Sequence, residues 1–447
     1  MELFGTAGIR GPVTEVTPDL AVRVGRAAAT AAEGGEFVVA RDGRETGDAL
    51  AAAVASGLLA GGAAVRRAGM LPTPALALAS RGRRGVMVTA SHNPPADNGL
   101  KLFVDGEEYD RAAERAVRDR VDAPVVDWDR WGGAERTDVL ERYRRAVTDY
   151  AAGHGADADG LTVAVDCGNG AAGLATPQVL TSLGAEVRAL NATVDGHFPA
   201  RQSKPTPESL ADLRAFVADG ADLGVGHDGD ADRVVVVDGD GEVVHEDTVL
   251  AILAEHYTRA SDAVDPVVVT TPNASGRVDE RVRAAGGRVE RVRLGALHEG
   301  VASARADGDE RTEVTFAAEP WKHIHPRLGG WIDGVASAGV FARLVAAEGL
   351  DALRAPVTER PYRKESVPCP DDRKAAAMAE LEGGLPEVFP EATVDTDHGV
   401  RLDLPDGSWT LVRPSGTEPY VRVYAESEDV DALVATVREV VEAAVRT

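Results

Sequence analysis

Cysteine and long apolar runs are scarce in this chain of 447 residues. The two cysteines, Cys167 and Cys369, exclude a disulfide scaffold and any zinc site built from several cysteine ligands. No apolar run approaches the roughly 18 residues of a membrane-spanning helix, and the first residues lack the basic and apolar regions of a signal peptide. We therefore expect a soluble protein of the cytoplasm.

Basic residues are also in the minority, with 48 Lys and Arg against 73 Asp and Glu and a net charge of −25. Such a balance argues against nucleic acid and anionic membranes as partners, because both require a basic surface. The lysines are few, namely Lys101, Lys204, Lys322, Lys364 and Lys374. Acidic excess with few lysines favours a halophilic surface adapted to high salt. A GC-rich genome is the alternative explanation.

Strand-like apolar runs alternate with alanine-rich helical segments, which predicts an α/β fold with parallel sheets. The last 90 or so residues mix strands and helices in the manner of an α+β domain. We expect four domains, at residues 1–152, 153–250, 251–357 and 358–447. Similarity among the first three is suggested by their common strand and helix pattern, although no letter-for-letter repeat supports it.

Ser91 follows the predicted strand 85–89, at the strand end where open α/β sheets bind ligands. His92 and Asn93 add an imidazole and an amide, and Lys101 can return a positive charge to the same place. The Gly-x-Ser-x-Gly spacing of a serine hydrolase is absent here. A polar turn without chemistry is the alternative.

Three aspartates alternate with small residues after the predicted strand 223–226, at Asp228, Asp230 and Asp232. Alternation directs the three carboxylates toward one point, and hard oxygen ligands suit Mg²⁺. An EF-hand would need Gly sixth and Glu twelfth in this motif, where the chain has Arg233 and Gly239. The motif therefore predicts a magnesium site of another kind, against the alternative of a solvated acidic loop.

A third polar loop follows the predicted strand 410–413 and reads Arg413-Pro414-Ser415-Gly416-Thr417-Glu418-Pro419. It combines a guanidinium, two hydroxyls and a glycine that exposes backbone N–H groups, which is the composition of a phosphate site. Arg422 can add a second guanidinium. A plain surface turn is the alternative.

The segment Gly168–Gly173 matches a dinucleotide-binding fingerprint, with Asp195 at a suitable distance. The same glycines can simply turn a strand tightly into a helix, and we favour that interpretation. An NAD-dependent oxidoreductase is therefore kept only as an alternative class.

Taken together, Ser91–Pro94, Asp228–Arg233 and Pro414–Pro419, with the opening Phe4–Gly11, resemble the α-D-phosphohexomutase superfamily over the whole chain. This superfamily includes phosphoglucomutases, phosphomannomutases and phosphoglucosamine mutases. The resemblance implies four domains around a central cleft, three similar α/β domains and a smaller C-terminal one. It implies an isomerase that interconverts a hexose 1-phosphate and 6-phosphate by way of phosphorylated Ser91 and a sugar bisphosphate.

The resemblance also implies roles for individual residues. Ser91 would carry the phosphoryl group and bind Mg²⁺ with Asp228, Asp230 and Asp232. Lys101 would be the general acid/base. The same centre would be lined by Arg10, His92 and Arg233, and the phosphate that is not transferred would be bound by Arg413, Ser415, Gly416, Thr417 and Arg422.

One loop departs from the family pattern of Gly-Glu-x-Ser-Gly-His, because this chain has Ala318-Glu319-Pro320-Trp321-Lys322-His323. Glu319 and His323 are retained as candidate sugar ligands, whereas Trp321 and Lys322 replace a serine and a glycine. The nearby segment 295–298 also lacks the polar residue that often follows its glycine. The change predicts either a different sugar, such as a pentose or glucosamine phosphate, or neutral drift. A phosphosugar sensor without catalysis is the remaining alternative, which intact Ser91 and the aspartates argue against.

Overall fold

The computed structural model describes residues 4–5, 8–416 and 418–446. The chain divides into two compact units, the first made of residues 1–246 and 321–353 and the second of residues 247–320 and 354–447. In the described residues the strands form four sheets that follow one another along the chain. No helix within those residues is long and apolar enough to cross a membrane.

The first sheet has the strand order β1-β5-β4-β2-β3-β7, with β6 beside β5. Strands β4, β2, β3 and β7 are parallel, whereas β5 runs antiparallel to both β4 and β1. The strands are β1 (Ile9–Pro12), β2 (Glu36–Arg41), β3 (Ala64–Met70), β4 (Arg84–Val88), β5 (Asp97–Val104), β6 (Glu107–Glu108) and β7 (Ala134–Arg136). The helices are α1 (Pro18–Ala31), α2 (Gly47–Ala60), α3 (Thr73–Ala79), α4 (Arg111–Arg118) and α5 (Leu140–Ala152).

Helices α1 and α2 pack backbone against backbone through two glycines. A Cβ on Gly25 would lie 2.3 Å from the carbonyl oxygen of Val54, and one on Gly57 would lie 2.1 Å from that of Val22. Thr17 caps α1 by accepting from the N–H of Leu20, and Pro18 occupies the first helical position. The alanine-rich sequence therefore forms helices that approach too closely for larger side chains.

The second sheet, also in the first unit, has the order β11-β10-β8-β9. Its strands are β8 (Thr162–Asp166), β9 (Glu186–Leu190), β10 (Leu223–Gly226) and β11 (Val235–Asp238), of which only β11 is antiparallel to its neighbour. Helices α6 (Thr176–Ser182) and α7 (Ala211–Ala218) belong to this part of the unit. Later in the chain come β15 (Lys322–Ile324), α11 (Gly334–Glu348) and α12 (Leu350–Arg354).

In the third sheet, which belongs to the second unit, β12 lies between β13 and β14 and is parallel to both. The elements are α8 (Glu246–Arg259), β12 (Asp265–Thr270), α9 (Gly276–Ala284), β13 (Arg288–Arg291), α10 (Leu297–Asp307) and β14 (Thr312–Glu319). Valines 267–269 at the centre of β12 are fully buried, as expected for a strand covered on both faces.

The fourth sheet is antiparallel throughout, with the order β16-β20-β19-β18-β17. Its elements are β16 (Tyr362–Pro368), α13 (Asp371–Val388), β17 (Thr393–Asp395), β18 (Val400–Asp403), β19 (Trp409–Pro414), β20 (Tyr420–Glu426) and α14 (Val430–Arg446). The buried Arg401 donates to the carbonyl oxygens of Pro272 and Ala274, which ties this sheet to the third one within the second unit.

The prediction of a multi-domain α/β protein with an α+β C-terminal part is confirmed by these four sheets. Each of the four sheets lies within one of the four predicted ranges. The boundaries at 152, 250 and 357 stay predictions.

Candidate active site

Ser91 lies in a strained turn directly after β4. Its φ of 52° is in the left-handed region, which is uncommon for a residue other than glycine, and the residue is buried. The hydroxyl donates to Oδ2 of Asp228 over 2.8 Å, and Nδ1 of His92 lies 3.4 Å away. The structure therefore brings the predicted nucleophile and the first predicted metal ligand into direct contact.

A buried arginine that sequence reasoning missed holds this turn in place. The Arg44 guanidinium donates to the carbonyl oxygens of Ser91 and Asn93 over 2.8 Å each. It also reaches the carbonyl oxygens of Pro94 and Asp97, and it pairs with Asp42. Because one rigid guanidinium satisfies so many acceptors, the backbone around Ser91 is fixed.

Asp42 completes this support from the end of β2. Its carboxylate accepts from the Thr89 hydroxyl over 2.7 Å, and Thr89 in turn accepts from the N–H of Ser91. The signal was available in the sequence, since Asp42 and Arg44 follow a predicted strand, as Ser91 does.

Asp228, Asp230 and Asp232 are buried together at the end of β10, as their alternation predicts. One carboxylate oxygen from each lies within 4.8 Å of the others. Ala231, between the last two, has a φ of 62°, and a Cβ on Gly229 would come within 2.7 Å of the carbonyl oxygen of Ser91. The small residues between the aspartates therefore allow the loop to bend and to approach the serine.

The three carboxylates fit a divalent cation. Oδ1 of Asp230 and Oδ1 of Asp232 are buried and accept no hydrogen bond within the described part of the chain. Burial raises the pKa of Asp228 well above its ordinary value, and the negative charges of Asp232 and Asp230 raise it further. A hard dication such as Mg²⁺ would use the unpaired oxygens and relieve the repulsion.

Lys101, on β5, is buried beside these aspartates. Its Nζ lies 2.7 Å from Oδ2 of Asp232, 3.3 Å from Oδ2 of Asp230 and 3.8 Å from Oε1 of Glu108. Burial acts to lower the pKa of Lys101, but Asp230 and Asp232 outweigh it and the pKa is raised. Lys101 therefore remains protonated in this environment and supplies a positive charge beside the aspartates.

Thr73, another residue that sequence reasoning missed, fixes Asp230. Its hydroxyl donates to Oδ2 of Asp230 over 2.6 Å, and its N–H donates to the Asp230 carbonyl oxygen. Asp230 is thus held by its side chain and its backbone at the start of α3. No sequence motif marked Thr73, because the contact joins residues 157 positions apart.

The predicted cationic residues lie near the same centre. Nε of Arg233 is 3.6 Å from Oδ2 of Asp228. Burial, followed by the charges of Arg233 and Arg10, lowers the pKa of His92 to about 3. Nε of Arg10 is buried and donates no hydrogen bond to the described residues. His92 is therefore neutral at ordinary pH, while Arg10 and Arg233 supply positive charge.

The glycine turn at 168–170 supports the aspartate loop. A Cβ on Gly170 would lie 2.7 Å from the Gly229 carbonyl oxygen, and the N–H of Ala171 donates to that same oxygen. The buried Arg201 donates to Asp166 and to the His227 carbonyl oxygen over 2.7 and 2.6 Å. The glycines thus serve close packing, in agreement with the favoured interpretation.

The residues of the predicted sugar loop divide between the two units. In the second unit the N–H of Gly295 donates to Oε2 of Glu319 over 3.4 Å, so the structure joins the two segments singled out for sugar recognition. In the first unit, Trp321 has a φ of 69° and its side chain packs against the apolar cluster formed by β8, β11, α7 and the residues next to α7. Trp321 thus anchors the loop, and its predicted contact with the sugar stays a prediction.

Lys322 and His323 follow on the return of this loop. Lys322 pairs with Arg233 in an isolated β-bridge. Burial acts to raise the pKa of Asp232, but the positive charges of Lys101 and then of Lys322 outweigh burial, and the pKa is lowered. His323 is buried, with Nδ1 3.0 Å from the Ser337 hydroxyl, and burial lowers its pKa to about 3. Lys322 therefore adds positive charge beside the aspartate centre, which the sequence did not indicate.

The predicted phosphate loop lies between β19 and β20 in the second unit. Arg413 and Arg422 are directly opposite each other in the antiparallel ladder, and Nε of each is buried without an acceptor among the described residues. Lys374, which sequence reasoning missed, donates to the carbonyl oxygens of Ser415 and Glu418. Gly416 is exposed, and Thr417 lies outside the described residues. Two adjacent guanidiniums with unused donors fit an anion.

Three family models match the chain. They describe phosphoglucomutase/phosphomannomutase alpha/beta/alpha domain I at residues 1–125, alpha/beta/alpha domain II at residues 141–241 and the C-terminal domain at residues 366–443.

Relatives of known sequence or structure cover nearly all of the chain. The phosphopentomutase of Thermococcus kodakarensis is 42% identical over 440 residues, which is 96% of this chain and 94% of that protein. A probable phosphoglucosamine mutase of Methanopyrus kandleri is 41% identical and covers 95% of this chain and 94% of its own. The crystal structure of a phosphoglucomutase/phosphomannomutase family protein from Burkholderia thailandensis superposes with a TM-score of 0.85 at 27% identity, over 99% of this chain and 96% of that one.

Proposed function

Because the chain belongs to the phosphoglucomutase/phosphomannomutase family of the α-D-phosphohexomutase superfamily, we propose that it transfers a phosphoryl group between two hydroxyls of one sugar by way of phosphorylated Ser91. The enzyme is thus a mutase, an isomerase that acts by phosphoryl transfer. The observation that carries the proposal is the 2.8 Å hydrogen bond from the buried Ser91 hydroxyl to Asp228 within the aspartate centre.

Asp228, Asp230 and Asp232 would hold Mg²⁺ together with an oxygen on Ser91. The ion would supply a positive charge that offsets the negative charge of the phosphoryl oxygens. Arg10 and Arg233 add further positive charge at the same place. The remaining task of the protein is to position the reactants, which Arg44 performs by fixing the Ser91 turn.

The proposed cycle begins with phosphorylated Ser91 and a sugar monophosphate. The bond from phosphorus to the serine oxygen breaks as a bond to a sugar hydroxyl oxygen forms, and the proton lost by the sugar is matched by a proton gained on Ser91. Lys101 would carry that proton, because its ammonium is buried beside the centre. The resulting bisphosphate then turns around and returns its other phosphoryl group to Ser91. Arg413, Arg422 and the rest of the phosphate loop would hold the phosphate that is not being transferred.

A hexose 1-phosphate and its 6-phosphate are the substrates that we propose first, as the family resemblance implies. The relative named phosphopentomutase, at 42% identity, favours a pentose phosphate as the second candidate, and the relative named phosphoglucosamine mutase supports a glucosamine phosphate as the third. The altered loop Glu319–His323 gives these alternatives a physical basis, since loss of a small polar residue removes a hydrogen bond that a site can use for discrimination.

A panel of glucose, mannose, glucosamine and ribose 1-phosphates, each with Mg²⁺ and a trace of the matching bisphosphate, tests the proposal. We expect turnover of at least one sugar, dependence on Mg²⁺ and complete dependence on Ser91. Ser91→Ala should be inactive with every sugar, whereas the control Ser182→Ala removes an exposed hydroxyl on α6 and should behave as the native protein. Full activity of Ser91→Ala would refute the proposal. Running the panel at low and high salt also tests the adaptation suggested by the net charge of −25.

A further inference from the structure

A second positively charged site lies in the first sheet, on strands that none of the catalytic motifs occupies. A cavity of about 510 Å³ is lined by Arg41 on β2, Arg67 on β3 and Arg136 on β7, together with small residues of β3 and α2. We call it the arginine cavity. Its volume lies within the range of about 300–1,000 Å³ that is usual for small-molecule sites.

Strand register places the three arginines on one face of the sheet. Arg67 is directly opposite Arg136 on one side and Val39 on the other. Arg41 lies two residues after Val39 on β2, and side chains two residues apart in a strand point to the same face. The convergence of the three side chains therefore follows from the sheet itself.

The shape of the arginine cavity also comes from the backbone. The register of β2 and β3 shifts between Val39 and Ala40, so that Ala68 is an extra residue in β3. Such bulges bend a strand and re-aim its side chains, and they are frequent beside functional sites. Ala51 and Ala52 of α2 form part of the wall, and their short side chains leave the space open.

Charge in the arginine cavity is unbalanced. Arg41 pairs with Asp48, the only carboxylate among the lining residues, over 3.1 Å. Within the described part of the chain, Arg67 and Arg136 make no ion pair and donate no side-chain hydrogen bond. Like charges directly opposite each other across a ladder are destabilising. Both Arg67 and Arg136 are exposed, so their guanidiniums are accessible to a ligand from solution.

Arg66, the neighbour of Arg67 in the sequence, shows the contrast. It points to the other face of β3, where it donates to Glu36 over 2.9 Å and to Glu135 over 2.8 Å. Arg66 thus finds one carboxylate partner on β2 and one on β7, whereas the residues opposite Arg67 on these strands are Val39 and Arg136. On the face that lines the arginine cavity, Arg67 and Arg136 thus lack the carboxylate partners that Arg66 has on the other face.

The phosphate loop offers a precedent within this chain. Arg413 and Arg422 also lie directly opposite each other in a ladder and also have unused donors. That pair was predicted to hold a phosphate. We propose that the arginine cavity binds a small phosphate dianion, either inorganic phosphate or the phosphate group of a sugar monophosphate, at a site separate from the catalytic centre. Guanidiniums are suited to this ligand because each can donate two parallel hydrogen bonds to it.

Calorimetric titration of the full-length protein with inorganic phosphate and, in a second arm, with glucose 1-phosphate tests the proposal at constant ionic strength. The native protein should show a site in addition to the one in the phosphate loop. Arg67→Gln with Arg136→Gln should weaken that additional site by at least about tenfold, since each charged hydrogen bond is lost. Arg66→Gln, the matched control, should leave it unchanged. The arm with the tighter binding identifies the ligand, and glucose itself should not bind there.

Crystals soaked in tungstate, a heavy analogue of phosphate, locate the site independently. We expect an anomalous peak between Arg67 and Arg136 in the native protein, and none there in the double variant. The double variant should also melt no lower than the native protein and keep its basal turnover, because neither arginine has an ion pair or side-chain hydrogen bond to lose among the described residues. An isotherm that is the same in the native protein and the double variant, or the absence of a tungstate peak in the native cavity, would overturn the proposal. Neither result bears on catalysis through Ser91.

Discussion

The aspartate centre of the first unit and the phosphate loop of the second handle charge in opposite ways. The first gathers three buried carboxylates around Lys101, and two of their oxygens have no hydrogen-bond donor within the part of the chain that the structure describes. The second sets Arg413 opposite Arg422 and leaves the Nε donor of each without an acceptor in the described residues. Each arrangement lowers the stability of the ligand-free protein, because charged groups are buried without partners. Each is also complementary to one kind of ligand, a dication in the first case and a phosphate in the second.

The largest effect is expected from neutralising one ligand of the aspartate centre. Asp230→Asn should lower Mg²⁺ affinity and turnover by about 10³-fold, because an amide replaces a charged oxygen and Lys101 loses part of its counter-charge. Titration calorimetry with Mg²⁺ and steady-state kinetics measure both quantities. The control Asp240→Asn changes an exposed aspartate in the hairpin turn and should have no effect. Native Mg²⁺ affinity in Asp230→Asn would show that Asp230 does not bind the metal ion.

A smaller loss is expected when the phosphate loop is weakened. Arg413→Gln should lower kcat/KM by about 10- to 100-fold, which corresponds to one charged hydrogen bond, while Mg²⁺ affinity stays native. Arg438→Gln, which removes an exposed ion pair of α14 with Glu442, is the matched control. If Arg413→Gln altered Mg²⁺ binding and left kcat/KM unchanged, the division of labour between the two regions would be wrong.

The support of the Ser91 turn can be tested by keeping the charge and changing the geometry. Arg44→Lys should reduce kcat by about tenfold and lower the melting temperature, since one ammonium cannot replace a guanidinium that bonds several carbonyl oxygens at once. Substrate KM should change little. Arg23→Lys, at a largely exposed pair with Asp122, serves as the control. A native kcat in Arg44→Lys would show that the turn needs no such support.

The last prediction concerns stability rather than turnover, at His227, which lies immediately before Asp228. Its Nδ1 donates to the Arg233 carbonyl oxygen over 2.6 Å, and its Nε2 accepts from Thr176, so the neutral ring is satisfied. Burial lowers its pKa to about 4. The unfolded chain, with a pKa near 6.5, binds more protons between these values, so the contribution of His227 is present above pH 6.5 and is lost as the pH falls through 4.

That contribution amounts to about 3 kcal/mol of unfolding free energy. NMR titration of the ring, assigned with a His227→Gln variant, should show a neutral ring at about pH 6 and above, with protonation centred near pH 4. A His227 resonance that titrates near pH 6.5 would contradict the buried, neutral assignment.

The sequence was most informative where chemistry is concentrated at strand ends. Ser91 and the aspartates could be found because each follows an apolar strand, and their meeting followed from the family resemblance. Thr73 could not be found in this way, since its contact with Asp230 joins residues 157 positions apart, and Arg44 follows a strand but its contact with Ser91 joins residues 47 positions apart. Only the folded chain brings such residues together.

Other features depend on packing and topology that no local pattern encodes. The sequence marked Trp321 as a departure from the family, but its contact with the apolar cluster is a result of the tertiary fold. No sequence motif marks Arg67 or Arg136, and they lie opposite each other only because β7 pairs with β3 at the edge of the first sheet. Adaptation to high salt stays a prediction, since it concerns the solvent rather than the fold.

The central claim is that the phosphoryl group passes through Ser91. Protein labelled with ³²P on Ser91 and freed of excess label can be mixed with an unlabelled sugar monophosphate and quenched at a series of times, from less than one turnover to many turnovers. The label should leave the protein and appear in a sugar bisphosphate and then in the product monophosphate, at the rate of turnover. Label that stays on the protein through many turnovers would contradict it.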